Sequence, residues 1–326
     1  MNVQRVLIPT DLSEKSNVAL KSLNTFVDMF DCTVDFIHVI PLSRYLNDSF
    51  DRLGIPLNLD KEVYPKIIEN MRGRLSEFAE KNISNEKNRG EILIAIDRKP
   101  SDAILEQLSK KKYDLIMMSS KGEHEGEFFH GSATDKIIRH SKVPVLTLTE
   151  QVVSSKMNTI VVPCDFSDRS LVAIPFAYDL ALRFGAKLEL LHVTELYAAD
   201  IQGIEPTVTG IDNNAVYEGV RERIVSYFGN QKGTEFSLAP KKEKFEDTLL
   251  RKLNGVQESV EVKTVILKGV AAHHEISDYA NEQADMLVMS THGRSGLSRM
   301  LLGSTTEQVI QHVNKPQLTI KPKLED

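Results

Sequence analysis

The chain has 326 residues, about twice a common domain length, with 41% hydrophobic and 26% charged side chains, which excludes collagen-like, low-complexity and mostly disordered classes. Its 40 Lys and Arg against 46 Asp and Glu give a net charge of −6, so no global basic field draws in nucleic acid, and none is expected as a partner. Two distant cysteines with no CxxC or Cys/His cluster argue against a disulfide framework or structural zinc, and the lack of a signal-like start or of an apolar run near the ~20 residues of a membrane span predicts a soluble, cytoplasmic protein.

In chain order, the apolar run Val3–Pro9 is the first predicted strand. Ser13 is a candidate N-cap, and behind it Leu20, Leu23, Val27 and Phe30 recur at helical spacing. The runs Thr33–Ile40, Glu91–Ile96, Asp114–Ser119 and Val145–Thr149 complete five predicted strands, with apolar stretches too continuous for a sheet with one wet face. The polar segment Glu150 to Asn158 carries no apolar period and reads as a linker between domains 1–150 and 158–326.

Beyond the linker the pattern restarts. Val6-Leu7-Ile8-Pro9-Thr10-Asp11-Leu12-Ser13 returns as Ile160-Val161-Val162-Pro163-Cys164-Asp165-Phe166-Ser167, 154 residues later (Pro9 to Pro163), and Ile37-His38-Val39 returns as Leu191-His192-Val193 at the same offset. Asp114–Ser119 returns as Asp285–Ser290 at an offset of 171 (Asp114 to Asp285), so the second half carries about 17 extra residues, mostly between its second and fourth strands, where an inserted loop is expected. Ser167 is the matching cap, followed by Ile174, Ala177, Ala181 and Phe184, and Pro175 inside that period predicts a kink or a late start.

Strands alternating with helices imply two tandem doubly wound, Rossmann-like α/β domains, each with a mainly parallel five-stranded sheet flanked by helices and with any ligand at the carboxyl ends of the strands. Asp11 and Asp165 stand just past the first strand of each half, placed either to accept hydrogen bonds from a hydroxylated ligand or to serve a turn or helix cap. The segment Ser290-Thr291-His292-Gly293-Arg294, with Gly303-Ser304-Thr305 opening a later helix, offers small residues and helix-start N–H groups that favour an anion; its glycines alone would equally serve a tight turn. No Walker-type or Gly-x-Gly-x-x-Gly phosphate loop occurs. His38 and His192 each close a strand and read as structural, His273-His274 as exposed, and Cys164 has no legible His or Asn partner that would make it a nucleophile.

Pro-[Thr/Cys]-Asp-[Leu/Phe]-Ser after the first strand, Leu-His-Val closing the second, and Ser-Thr-His-Gly, nine residues, then Gly-Ser resemble the universal stress protein family over nearly the whole chain, as two tandem copies. Nucleotide-binding members of that family carry Gly-2x-Gly-9x-Gly-[Ser/Thr]. Here Ser290 stands at the first glycine, Gly293 is the second, Arg294 to Leu302 are the nine, and Gly303-Ser304 close the string. The resemblance implies a stress-response protein binding an adenine nucleotide in its second domain, ATP with Mg²⁺ as companion ion. By that resemblance Asp165 contacts the ribose or base side, Val193 meets adenine through its backbone, and Gly293, Gly303, Ser304 and Thr305 hold phosphates. Pro163, Ser290, His292 and Arg294 complete the set.

The first half departs further, with only eight residues between Gly122 and Gly131-Ser132, among them Glu123, Glu125 and Glu127, which would repel a triphosphate. Pro9, Asp11, Val39, Ser119, Gly122, Gly131 and Ser132 therefore read as a degenerate equivalent. Glu123, His124, Glu127 and His130 have metal-ligand chemistry, but a charged exposed loop is the blander account and no metal is expected. The expected role is regulatory, with at most slow ATP hydrolysis; the alternative is a scaffold without nucleotide that binds protein partners or another small ligand. An adenylating enzyme would need a Ser-Gly-Gly-x-Asp-Ser loop, which Pro163–Ser167 is not. The resemblance also implies pairing through the last strands, Val145–Thr149 and Leu318–Ile320, as an intramolecular pseudo-dimer or a homodimer of chains.

Overall fold

A computed structural model describes residues 1–14, 16–41, 59–120, 132–195, 212–229, 235–253, 255–293 and 302–322. The chain divides into two compact units, Asn2–Gln151 and Val152–Asp326.

The first unit runs β1 (Arg5–Pro9), α1 (Asn17–Phe30), β2 (Thr33–Pro41), α2 (Tyr64–Asn82), β3 (Arg89–Asp97), α3 (Pro100–Lys110), β4 (Leu115–Ser119), α4 (Ser132–His140) and β5 (Val145–Leu148). The strand order is β3-β2-β1-β4-β5 and every pair is parallel. Helices on both faces explain the unbroken apolar runs: all five residues of β4 and the last four of β1 are buried. The α1 period points its Leu20, Leu23, Phe26 and Val27 inward. The helix starts later than Ser13, at Asn17, because the Ser13 hydroxyl accepts the Ser16 N–H (3.1 Å) and organises the turn that precedes it.

At the opposite end of the same strands a buried carboxylate ties the sheet together. Asp35, fully enclosed in β2, accepts from Arg5 Nε and Nη2 (2.9 and 2.8 Å), Lys111 Nζ (2.9 Å), Tyr113 Oη (2.8 Å) and the Glu91 N–H (2.9 Å). Burial pushes its carboxyl up, but these donors together outweigh burial and hold it below its ordinary value. Gly90 is required beside it, since a Cβ there would lie 2.0 Å from Asp35 Oδ1. Asp114, just before β4, accepts the N–H groups of Gln4 and Arg5 (2.9 and 3.0 Å) and so pins the start of β1.

The second unit runs β6 (Thr159–Pro163), α5 (Asp168–Leu171), α6 (Ile174–Phe184), β7 (Lys187–Glu195), α7 (Asn213–Gly229), β8 (Glu235–Pro240), β9 (Glu246–Leu253), β10 (Val256–Gly269), α8 (Ala272–Gln283), β11 (Met286–Ser290), α9 (Ser304–His312) and β12 (Gln317–Ile320). Pro175 falls in the first turn of α6, where its missing N–H costs nothing; the short α5 ahead of it accounts for the late start. The parallel order β10-β7-β6-β11-β12 repeats that of the first unit, and Asp285 repeats the role of Asp114 by accepting the Asn158 and Thr159 N–H groups (2.8 and 3.0 Å).

The sheet is longer than the five strands expected. The additional residues form strands rather than a loop: β10 has 14 residues, pairs with β7 only from Val262 onward, and offers its leading half to β9, with β8 antiparallel beyond that. Gly255, at φ +81°, makes the left-handed turn that joins β9 to β10. Phe236 of β8 packs between the rings of Tyr178 and Phe228 (centroids 5.2 and 4.6 Å), which gives the extension a buried face.

Candidate functional site

In both units the strand order reverses beside the first strand, and in the second unit a cavity of about 460 Å³ opens there, at the carboxyl ends of β6, β7 and β11. Pro163, Cys164 and Asp165 enter it from the exit of β6, Leu191 to Glu195 from β7, Met289, Ser290, His292 and Gly293 from β11, Ala272 and Ile276 from α8, and Gly303 to Thr306 from the start of α9.

The exit of β6 is a rigid turn. Phe166 is held at φ +58°, a left-handed conformation for a residue with a bulky side chain, and three contacts keep it there. Its N–H points at Cys164 Sγ (3.4 Å), Cys164 Sγ lies 3.2 Å from Ser170 Oγ, and the His192 ring stacks obliquely on Phe166 at 4.9 Å. His192 Nδ1 donates to the Cys164 carbonyl (3.0 Å), which fixes the proton on that nitrogen in the neutral ring. The structural role expected for this histidine, and for His38 with its matching bond to the Thr10 carbonyl (2.9 Å), has a physical basis in those carbonyls. Asp165 Oδ1 accepts from the N–H and the hydroxyl of Ser167 (3.0 and 2.6 Å), while Ser167 Oγ accepts the Ser170 N–H (3.2 Å) to open α5. The other oxygen, Oδ2, lies against Gly293, where a Cβ would come within 2.4 Å of it. The glycine is therefore a fit to the carboxylate as well as a feature of the loop.

Across the cavity, Gly303 is the N-cap of α9 and the first bond of the helix runs from the Glu307 N–H to the Gly303 carbonyl (2.9 Å). The N–H groups of Ser304, Thr305 and Thr306 precede that bond and point out of the helix start, beside the hydroxyls of Ser304 and Thr305, which makes this end suited to an anion. Thr306 Oγ1 donates to the Ser290 carbonyl (3.1 Å) and the Gly303 N–H to the Thr291 carbonyl (3.0 Å), so the helix start is docked onto the end of β11. Ser290, at the position of the first motif glycine, is buried and its Oγ accepts the His292 N–H (3.3 Å), so its side chain is folded into its own loop. Leu191, Val193, Ile276 and Met289 form an apolar wall between the two polar ends.

Nine of the ten second-domain residues named from sequence thus line one cavity; the tenth, Arg294, lies outside the described residues. Thr194, Glu195, Ala272 and Ile276 also line it and were not legible. Glu195 Oε1 accepts the Ala272 N–H (2.8 Å) across 77 residues of sequence, a pairing with no local signature. In the first unit Pro9 closes β1, Asp11 is exposed with Oδ1 accepting the Ser13 N–H (2.9 Å), Val39 lies in β2, Ser119 is buried at the end of β4 and Ser132 opens α4. Gly122 and Gly131, and the Glu123, His124, Glu127 and His130 set, lie outside the described residues.

The sequence model of the universal stress protein family matches residues 2–148 and again residues 156–321. The chain belongs to the universal stress protein family. A universal stress protein of Methanocaldococcus jannaschii is 32% identical over 169 residues, 51% of this chain and 84% of that one. Universal stress protein E of Escherichia coli is 26% identical over 238 residues, 71% of this chain and 68% of the relative. The crystal structure of a universal stress protein from Archaeoglobus fulgidus superposes with a TM-score of 0.62 at 21% identity, covering 98% of this chain and 99% of that one, a likeness of fold. This universal stress protein is thus a tandem member, and no helix among its described residues is long and apolar enough to cross a membrane.

Proposed function

We propose that the second domain binds an adenine nucleotide, ATP, and that the bound nucleotide regulates a cytoplasmic stress-response protein rather than being turned over rapidly. The supporting observation is one cavity that joins an apolar wall at β7 and α8, of the kind a base needs, to three outward N–H groups at the start of α9, of the kind a phosphate needs. In this reading Mg²⁺ accompanies the phosphates, and Ser304, Thr305 and Asp165 are the oxygen-bearing residues suited to a hard cation.

Calorimetry with Mg·ATP should give about one site per chain, lost on joint replacement Gly303→Val and Ser304→Ala; two equal sites, or binding indifferent to those changes, would overturn the proposal. At 100 times the dissociation constant, ATP should raise stability by ~2.7 kcal/mol, readable as a thermal shift. The scaffold reading is favoured by one feature: Asp165 and Glu195 line the cavity, and no Lys or Arg does among the described residues. Repeating the ATP titration in EDTA separates the two, since a nucleotide neutralised by Mg²⁺ should bind with Mg²⁺ and lose affinity without it, whereas the scaffold reading expects no ATP binding in either buffer.

A further inference from the structure

We infer that β3, the strand at one edge of the first unit's sheet, is a self-association edge that pairs antiparallel with β3 of a second copy of this chain. It lies on the far side of that sheet from the last strand β5 and shares no residue with the cavity of the second unit. In the second unit the strand at the corresponding place, β10, has an antiparallel neighbour in β9, bonded from Val256 to Lys263. Among the described residues no strand pairs with the outer side of β3.

Two bonds fix which backbone groups face outward. The Glu91 N–H points inward, to Asp35 of β2 (2.9 Å), so by the alternation of a strand Ile92, Ile94 and Ile96 turn their N–H and C=O groups away from the sheet. The Ile92 carbonyl accordingly accepts from Arg72 Nη1 of α2 (3.2 Å). A groove of about 450 Å³ follows this edge, floored by Glu91 to Asp97 and bordered by Arg72 on one side and by Glu106 and Lys110 of α3 on the other. No residue of β3 is buried, whereas every residue of β4 is, and the Ile96 side chain is 36% exposed. Edges are commonly blunted by Lys or Pro, and β3 has neither; its one such device is a register shift between Arg89 and Ile92.

Charge identifies the occupant. Arg89 stands at one end of the strand and Asp97 at the other, and neither has an ion-pair partner among the described residues. Arg89 is bonded to the carbonyls of Ile83 and Glu80 (2.8 and 3.3 Å), and Asp97 to the Lys99 N–H (3.0 Å). The other acids of the groove are already matched, Glu91 by Lys111 and Glu106 by Lys110, each at 2.7 Å. A twofold axis through the edge reverses the partner strand, so the Arg89 end of each copy meets the Asp97 end of the other. It also sets the isoleucine row against itself, a favourable cross-strand pairing. A parallel copy in register would instead place like charge beside like.

The test is sedimentation velocity of the full chain over a concentration series, with amide hydrogen exchange read across Ile92–Ile96. Wild type should pass from monomer to dimer, and protection of those amides should rise with concentration. Ile96→Pro removes an outward N–H that β2 does not use, so it should melt as a folded protein and remain monomeric. Asp97→Arg should weaken the dimer about tenfold, and adding Arg89→Glu should return it to within about threefold of wild type. The charge pair decides the matter even where the proline variant melts early. A wild type that stays monomeric up to its solubility limit overturns the inference. So does a dimer that survives in folded Ile96→Pro, or one that the reversed charges fail to restore. Amides protected equally at every concentration overturn it too, since the edge would then be covered from within one chain.

Discussion

At the exit of β1, Thr10 Oγ1 sits 3.1 Å from Ser16 Oγ and accepts the Leu12 N–H; at the exit of β6, Cys164 Sγ sits 3.2 Å from Ser170 Oγ and takes the Phe166 N–H. Leu12 and Phe166 are both left-handed, at φ 60° and 58°, and each turn is held from the next strand by a histidine bonded to a carbonyl. Further along, Thr134 and Thr306 each donate to the carbonyl that ends the fourth parallel strand of their unit, Ser119 and Ser290. The frame is duplicated down to single hydrogen bonds. A left-handed bulky residue costs ~1–2 kcal/mol, so its presence twice indicates that the turn geometry, and not the side chain at that position, is what both halves retain. The units differ in what is mounted on the frame: Asp165 closes against Gly293, while Asp11 is exposed.

The comparison can be broken most severely at the base of the first sheet. Asp35→Asn should cost about 3 kcal/mol, because Arg5 and Lys111 lose the charge they enclose. With its carboxyl held below the ordinary 3.8, Asp35 contributes fully above that pH and loses its contribution as pH falls through the lower folded value. Urea denaturation should therefore show wild type and Asp35→Asn farthest apart at neutral pH and converging in acid.

The next largest effect separates the two aspartates. Asp165→Ala should weaken ATP by ~1.5–3 kcal/mol, about ten- to a hundredfold, if its carboxylate meets the nucleotide, while Asp11→Ala should leave affinity unchanged. If both only organise the turn, each costs roughly 1 kcal/mol of stability and neither changes the dissociation constant measured where circular dichroism shows folded protein. Gly293→Ala should weaken ATP by about tenfold by displacing the Asp165 carboxylate from Ser167. Added to Asp165→Ala it should have little further effect, and a double-mutant cycle showing full additivity would remove that contact from the account. The smallest change is Cys164→Thr, which installs the residue that the first unit uses; a melting experiment should find it within about 1 kcal/mol of wild type.

The predicted strand runs of the first half match the observed strands to within two residues at either end, because β1, β4 and β5 are buried and print continuous apolar runs, and the half-buried β3 still carries the apolar run Ile92–Ile96. The repeat carried the same information into the second half and, for the same reason, hid the extension. Residues without a counterpart were expected to be loop, although Asn254-Gly255 between Leu253 and Val256 is a hairpin signal in its own right. In the site, contributions from strand exits were legible because they sit at fixed offsets from the strands. Ala272 and Ile276 were not, since a helix that lends one turn to a cavity has the same apolar period as one that lends none.

The bonds from Asp114 to Gln4 and Arg5 join residues 110 and 109 positions apart, and those from Asp285 to Asn158 and Thr159 join residues 127 and 126 apart. In each unit the central strand acquires its second neighbour only after two other parallel strands and their helices have been made. During synthesis, β1 therefore waits with one edge open until Leu115–Ser119 has left the ribosome, and β6 waits in the same way for Met286–Ser290. Such long loop closures are slow and expose unpaired apolar edges meanwhile. The nascent chain therefore exposes its widest unpaired edge just before the fourth parallel strand of each half emerges.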